Sequence, residues 1–188
     1  MEPSQFLSTT LLGRVRVREA AAWTRFVRLY TPLVCRWCRL EGVRAGAEDD
    51  IVQEVFLAVD QGLGTADVPD GKSFRAWLRT VARHRILDHF RRGRARVQGA
   101  GGTEAARALE EVPGRIDDAE EVAGLYQRAM ELIAEELDER SLRIFRATVQ
   151  ESRPLDEVAA EMGLSVGALY QARYRMFRRL RDELEGLL

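Results

Sequence analysis

Apolar residues recur along this chain at steps of three and four, the spacing of one helix face, and rarely alternate as strands require. From Ala21 to Leu40 the row is Trp23, Phe26, Val27, Tyr30, Leu33, Val34, Trp37 and Cys38, which predicts an amphipathic helix. Pro32 falls inside that row and is expected to kink or interrupt it, because proline donates no backbone hydrogen bond. EGVRAGAEDD then reads as a turn into an acidic helix start, where carboxylates suit the positive end of the helix dipole. The helix from Glu48 to Val59 is expected to bury Ile51, Val52, Val55, Phe56 and Val59, leaving Asp50, Gln53, Glu54 and Leu57 outward. A loop, DQGLGTADVPDGK, follows.

Ser73 is placed to cap a long helix, SFRAWLRTVARHRILDHFRR. Its first apolar stripe is Phe74, Trp77, Leu78 and Val81; beyond Arg83 the stripe shifts phase to Ile86, Leu87 and Phe90, which predicts two successive partners or a bend near His84. Arg75, Arg79 and Arg83 form a basic ridge on the side away from Trp77. Between Gly93 and Asp118 the periodicity fades into a Gly- and Ala-rich stretch that turns acidic, the mark of a linker. Helical pattern returns over Ala119–Leu137, with Val122, Leu125, Ala129, Leu132 and Ile133 inward, and over Ser141–Gln150.

The segment PLDEVAAEMGLSVGALYQARYRMFRRL carries the most specific pattern. A first helix buries Leu155, Val158, Ala159 and Met162, with Ala159 small where a second helix must cross. Gly163 can take a left-handed turn conformation, Leu164 anchors the turn, and Ser165 caps the next helix. That helix buries Leu169, Ala172, Met176 and Leu180 and points Gly167, Gln171, Tyr174, Arg175 and Arg178 away, flanked by Tyr170 and Arg181. This is the layout of a helix-turn-helix, whose second helix reads base edges while flanking arginines hold phosphates. Gln171 suits adenine, and Arg175 suits guanine or phosphate. A helical hairpin with a solvated arginine face would satisfy the same pattern. The predicted fold class is all-α: a first helical domain over 1–95, an acidic linker over 96–118, and a second domain over 119–188 ending in the helix-turn-helix.

Composition agrees with a folded, soluble chain: 46% hydrophobic and 31% charged residues over 188 positions. No apolar run approaches the roughly 18 residues of a membrane helix, and the N-terminus lacks a signal-peptide pattern, so the expectation is a cytoplasmic protein. A net charge of −1 taken alone argues against nucleic acid, but it hides large blocks. Residues 45–70 carry seven acids and no base, and 71–96 carry nine bases against Asp88. Blocks of that size create local fields that the sum conceals.

Two rival chemistries fail on spacing. Cys35 and Cys38 with His84 and His89 imitate a zinc ligand set, but a long stretch of chain separates the pairs and both sit within helical pattern. Glu48, Asp49, Asp50 and Glu54 could be a metal cluster of an enzyme, yet no His or Cys joins them and no phosphate loop or nucleophile constellation appears. No cofactor, no metal and no catalysis are expected. A stand-alone helix-turn-helix regulator remains the alternative; such proteins usually pair half-sites through a dimer interface, and DELEGLL is too short for a zipper.

From about Trp23 to Leu188, the order EDDIVQEVFLAV, SFRAWLRTVARHRILDHFRR, acidic linker and terminal helix-turn-helix resembles the bacterial RNA polymerase sigma factors of the extracytoplasmic-function group. The resemblance implies core polymerase and promoter DNA as partners, possible control by an anti-sigma factor, and a monomer when free. It assigns Asp50, Gln53, Glu54 and Leu57 to docking on the coiled coil of the largest polymerase subunit. It assigns Lys72, Arg75, Arg79, Arg83, His84, Arg91 and Arg92 to recognition and melting of the −10 element, with Asp70 and Gly71 helping to shape a base pocket. Gly167, Tyr170, Gln171, Tyr174, Arg175 and Arg178 would read the −35 element. His84 stands where the family often has Asn, so the preferred −10 sequence does not carry over.

Overall fold

The computed structural model describes residues 10–63, 74–97 and 118–188, and all regular structure in them is helical. The elements are α1 (Leu11–Arg16), α2 (Ala20–Leu40), α3 (Glu48–Leu63), α4 (Phe74–Val97), α5 (Asp118–Ala134), α6 (Glu139–Phe145), α7 (Leu155–Met162) and α8 (Val166–Leu184), with a π-helical turn at Arg146–Gln150 after α6. The expected linker and the loop before α4, with Lys72, Asp70, Gly71 and Ser73, lie outside the described residues, apart from the ends of α4 and α5.

α2 is the central element and touches α1, α3, α4 and α5. Its buried row, Phe26, Leu29, Tyr30, Leu33, Val34, Trp37 and Cys38, meets an aromatic cluster from α3 and α4. Phe26 packs edge-on against Phe56 and Phe74 with ring centroids 5.9 and 5.5 Å away. Of the two outcomes expected at Pro32, interruption does not occur: α2 continues through it to Leu40. Proline leaves the carbonyl of Arg28 without its usual donor, and Arg128 Nε of α5 donates to that oxygen at 3.3 Å. A tertiary donor thus replaces a missing local one.

α3 also exceeds its predicted end, continuing past Val59 to Leu63. Gly62 explains why the extra turn can pack: a Cβ there would sit 3.2 Å from the Trp77 ring. α4 is a single helix through His84. Its fully buried positions, Phe74, Leu78, Ala82 and Ile86, step by four, so the buried line drifts around the helix as it crosses its neighbours. α5 ends at Ala134, three residues before the predicted end. α6 begins after Asp138, whose carboxylate accepts from Ser141 N at 2.8 Å.

Two apolar clusters hold the described residues. The smaller gathers Ile144, Phe145, Val158, Ala159, Leu169 and Met176 around the α7–α8 corner. The larger includes the α1–α4 core together with Leu125, Ala129, Leu132 and Ile133 of α5 and Leu180, Leu184 and Leu187 at the C-terminus. α1, which the apolar pattern did not single out, earns its place here: Leu11, Leu12 and Val15 are buried, and Thr10 caps it. Tyr30 Oη donates to the Leu187 carbonyl at 2.7 Å inside this core, and burial pushes its phenol pKa well above the ordinary value.

Candidate nucleic-acid interface

The α7–α8 corner is built as its residues dictate. Gly163 closes α7 in the left-handed conformation, φ 62° and ψ 38°, which costs a side-chain-bearing residue about 1–2 kcal/mol. Leu164 N then donates to the Ala159 carbonyl at 2.9 Å, and the Ser165 hydroxyl accepts from Ala168 N at 3.1 Å, opening α8. With Leu169 and Met176 buried, Gly167, Tyr170, Gln171, Tyr174, Arg175 and Arg178 are all exposed together along the outward side of α8. No carboxylate interrupts α8 from Val166 to Arg181. That side can donate hydrogen bonds and attract phosphate without an acid to repel it.

The α4 candidates divide. His84 is exposed and lines a notch of about 410 Å³ between α3 and α4 with Ala58, Val81, Arg85, Asp88 and Arg91. Arg91 is exposed and reaches Asp88 at 3.3 Å. Arg79 and Arg83 are half-buried on the same helix. Arg92 donates to both carboxylate oxygens of Glu54 at 2.7 and 2.8 Å, so one −10 candidate and one docking candidate are tied to each other.

Arg75 is placed differently from the exposed ridge position expected of it. Its side chain is 12% exposed, and its Nη1 donates to Glu121 at 2.6 Å and to Asp118 at 3.0 Å, both on α5. Glu121 is buried and also accepts from Trp37 Nε1 at 2.6 Å. Glu121 was not singled out from sequence, although a signal existed: it stands four residues before Leu125 and eight before Ala129, on the buried row of α5. An acid on an apolar row requires buried donors.

Further ion pairs line the same junction. Arg36 meets Glu120 at 2.5 Å, Arg28 meets Glu135 at 2.6 Å, and Glu136 accepts from both Arg25 and Arg179. The hydrogen bonds from Arg75, Arg36 and Arg28 hold the carboxyls of Asp118, Glu120 and Glu135 below the usual carboxylate range.

On α3, Asp50, Gln53 and Leu57 are exposed, Leu57 by 59%, while Glu54 is half-buried against Arg92. Gln53 and Leu57 stand at the rim of an apolar groove of about 610 Å³ floored by Trp23, Val27, Val52 and Phe56. The cysteines are placed in α2, Cys38 buried and its thiol pushed up to about 12 by burial. The histidines stand on α4. Among the described residues no cluster of His, Cys, Asp and Glu is arranged to hold a metal, and no helix is long and apolar enough to cross a membrane.

Comparison with known proteins fits this arrangement. Residues 26–96, from α2 to the end of α4, match the family model for Sigma-70 region 2. The ECF RNA polymerase sigma factor SigD of Mycobacterium tuberculosis is 31% identical over an alignment covering 98% of this chain and 89% of that protein. BldN of Streptomyces coelicolor, also an ECF RNA polymerase sigma factor, is 30% identical over 90% of this chain; the match spans only 63% of BldN. Among solved structures, the RsbN–BldN complex contains a chain 21% identical, with a TM-score of 0.38, covering 90% of this chain and 96% of that one. The extent and identity of the SigD match settle the family: this chain belongs to the ECF RNA polymerase sigma factors, which direct transcription initiation by RNA polymerase.

Proposed function

We propose that α8 reads the −35 element, α4 the −10 element, and the outward strip of α3 docks on core polymerase. The observation that carries this reading is the exposed side of α8, where Gln171, Tyr174, Arg175 and Arg178 stand together behind a Gly163 turn and a Ser165 cap. On α4, His84, Arg91 and Arg92 are the promoter-side groups already at the surface, with Arg79 and Arg83 beside them. Arg75 joins them only when its hold on Glu121 and Asp118 is released. Lys72, Asp70 and Gly71, outside the described residues, complete the −10 assignment. The factor contributes recognition and strand opening, and bond formation belongs to the polymerase.

Docking is assigned to Asp50, Gln53, Glu54 and Leu57, and the neighbouring apolar groove suits an apolar anchor beside basic contacts. From its membership of the ECF sigma factors, we also assign this chain a protein partner of the anti-sigma kind.

The test is run-off transcription with purified core polymerase on bacterial promoter fragments, with and without the protein. Protein-dependent starts that share upstream elements near −35 and −10 are expected. Asp50→Arg should abolish this activity and core association while lowering stability by no more than about 1 kcal/mol, the loss of one first-turn acid at an exposed site. Wild-type core association by Asp50→Arg at physiological salt would remove α3 from the interface. Tight duplex binding by the protein alone, with no initiation, would return the stand-alone regulator.

A further inference from the structure

The outward side of α8 is divided lengthwise. Val166, Tyr170 and Tyr174, at i, i+4 and i+8, form one row, and they are 39%, 60% and 58% exposed. Gln171, Arg175 and Arg178 form a second row beside it, all exposed. Aromatic rings on a merely solvated helix face carry an unrecovered hydration cost. Further along, Phe177 is 41% exposed and has the Arg173 guanidinium 5.7 Å from its ring centroid. Tyr170 and Tyr174 have no aromatic or cation–π partner among the described residues. Both belong to a helix whose core-facing residues, Leu169 and Met176, lie on the other side, so packing within the chain does not account for them.

The occupant follows from the neighbouring row. Gln171 has the paired donor and acceptor that match adenine N6 and N7, and Arg175 and Arg178 match phosphate or guanine. The major-groove edge of an A·T pair offers, beside those adenine atoms, one apolar group, the thymine C5 methyl. An apolar row running alongside a hydrogen-bonding row therefore mirrors the edge of A·T pairs. We propose that Tyr170 and Tyr174 are specificity-determining residues that cover thymine methyl groups in the upstream promoter element, while Gln171 engages adenine. This rests on the reading of α8 as the −35 helix and adds to it the base class selected.

The experiment uses holoenzyme, core polymerase plus the full chain, on a duplex promoter that supports protein-dependent initiation. Thymines of its upstream element are replaced one at a time by uracil, which deletes the methyl and leaves the hydrogen-bonding edge unchanged. At one or more positions, affinity should fall about three- to fivefold per methyl, the effect of exposing one buried methyl-sized group. In Tyr170→Ala or Tyr174→Ala holoenzyme the thymine and uracil duplexes should bind equally at that position. Tyr→Phe variants should keep the discrimination, because the ring rather than the hydroxyl provides the contact.

The exposure of both residues lets the variants fold, which thermal unfolding checks. Equal binding of every uracil duplex by the wild-type holoenzyme would overturn the proposal. Arg175→Ala separates the two levels. If it weakens promoter binding while uracil has no effect, α8 still reads the element and only the methyl contact is wrong. If neither changes affinity, α8 is not the reading helix.

Discussion

Glu121 is the residue whose replacement tests the packing of α5 against α2 and α4 most directly. It is about 1% exposed and holds two donors at 2.6 Å, Trp37 Nε1 and Arg75 Nη1. Glu121→Ala orphans a buried indole N–H, at a cost of about 1–3 kcal/mol. It also takes one carboxylate from a guanidinium whose side chain is only 12% exposed; breaking such a buried pair costs about 3–5 kcal/mol. Asp118 still accepts from Arg75 at 3.0 Å and offsets part of that second cost. The two losses also overlap, so the sum is not the expectation.

About 3 kcal/mol is expected, which for a chain of this length lowers the thermal midpoint by roughly 6–12 °C. Glu121→Gln keeps an acceptor oxygen for Trp37 but loses the charge and turns an amide NH2 toward Arg75, so it should cost less than Glu121→Ala without being neutral. Glu131→Ala provides the surface comparison on the same helix. Its exposed pair with Arg128 at 2.8 Å should be worth under about 1 kcal/mol. Urea unfolding of the three variants, with a Trp37→Phe cycle to isolate the indole contact, gives the ordering. If Glu121→Ala proves no more costly than Glu131→Ala, the buried contact between α5 and the α2–α4 face is refuted.

Two further outcomes follow from the geometry. Gly163→Val should destabilise the α7–α8 corner by about 1–2 kcal/mol or somewhat more, since φ is 62°. A Cβ there would meet nothing within 4 Å, so the strain is in the backbone; Gly163→Asn should recover much of the loss in thermal unfolding, and equal losses for Asn and Val would refute the backbone account. The second concerns acid. Asp118, Glu120 and Glu135 have carboxyls held below their ordinary values by Arg75, Arg36 and Arg28. Their stabilisation is therefore present above the ordinary carboxylate range and is lost as pH falls through the depressed values. Stability should decline below about pH 4.5, less steeply in the Asp118→Asn, Glu120→Gln, Glu135→Gln triple variant and less steeply at high salt. Identical pH profiles for wild type and triple variant would contradict the pairing.

What the sequence revealed and what it concealed separate by the range of the interaction responsible. The α7–α8 corner was legible because its determinants are local: a glycine for one left-handed residue, a serine three positions before the amide it caps, and apolar residues at helical spacing. The outward placement of Asp50, Gln53 and Leu57 was legible for the same reason, since α3 has one clear apolar row. Continuation of the helix through Pro32 was not legible, because the donor to the carbonyl orphaned by the proline comes from Arg128, a hundred residues away. Arg75 was assigned to an exposed ridge because helical projection knows nothing of Glu121. α1 passed unnoticed because six residues give too few periods to distinguish a helix from any apolar run. The phase shift in the apolar row of α4 was legible as two successive partners or a bend; the helix contacts both α2 and α3 and continues through His84.

The division of α8 ties these observations to function. Its first half turns Gln171, Tyr174 and Arg175 outward, while its last turns bury Leu180 and Leu184 in the core shared with α1, α2 and α5. Glu183, at the same end, pairs with Arg25 of α2 at 2.7 Å. The orientation of the proposed reading side is therefore fixed by contacts with α1, α2 and α5 as well as by the small core at its own corner. Arg75 sits at the other end of that arrangement, held by α5 carboxylates that present to it the same charge a promoter phosphate would. Phosphate and Glu121 must compete for one guanidinium, and only Glu121 offers it a buried partner. Promoter contact through Arg75 thus requires separating α5 from α4, whereas contact through Gln171 and Arg175 requires no rearrangement. Among the proposed promoter contacts, Arg75 thus differs in readiness from Gln171 and Arg175, and the difference lies in the buried carboxylate of Glu121.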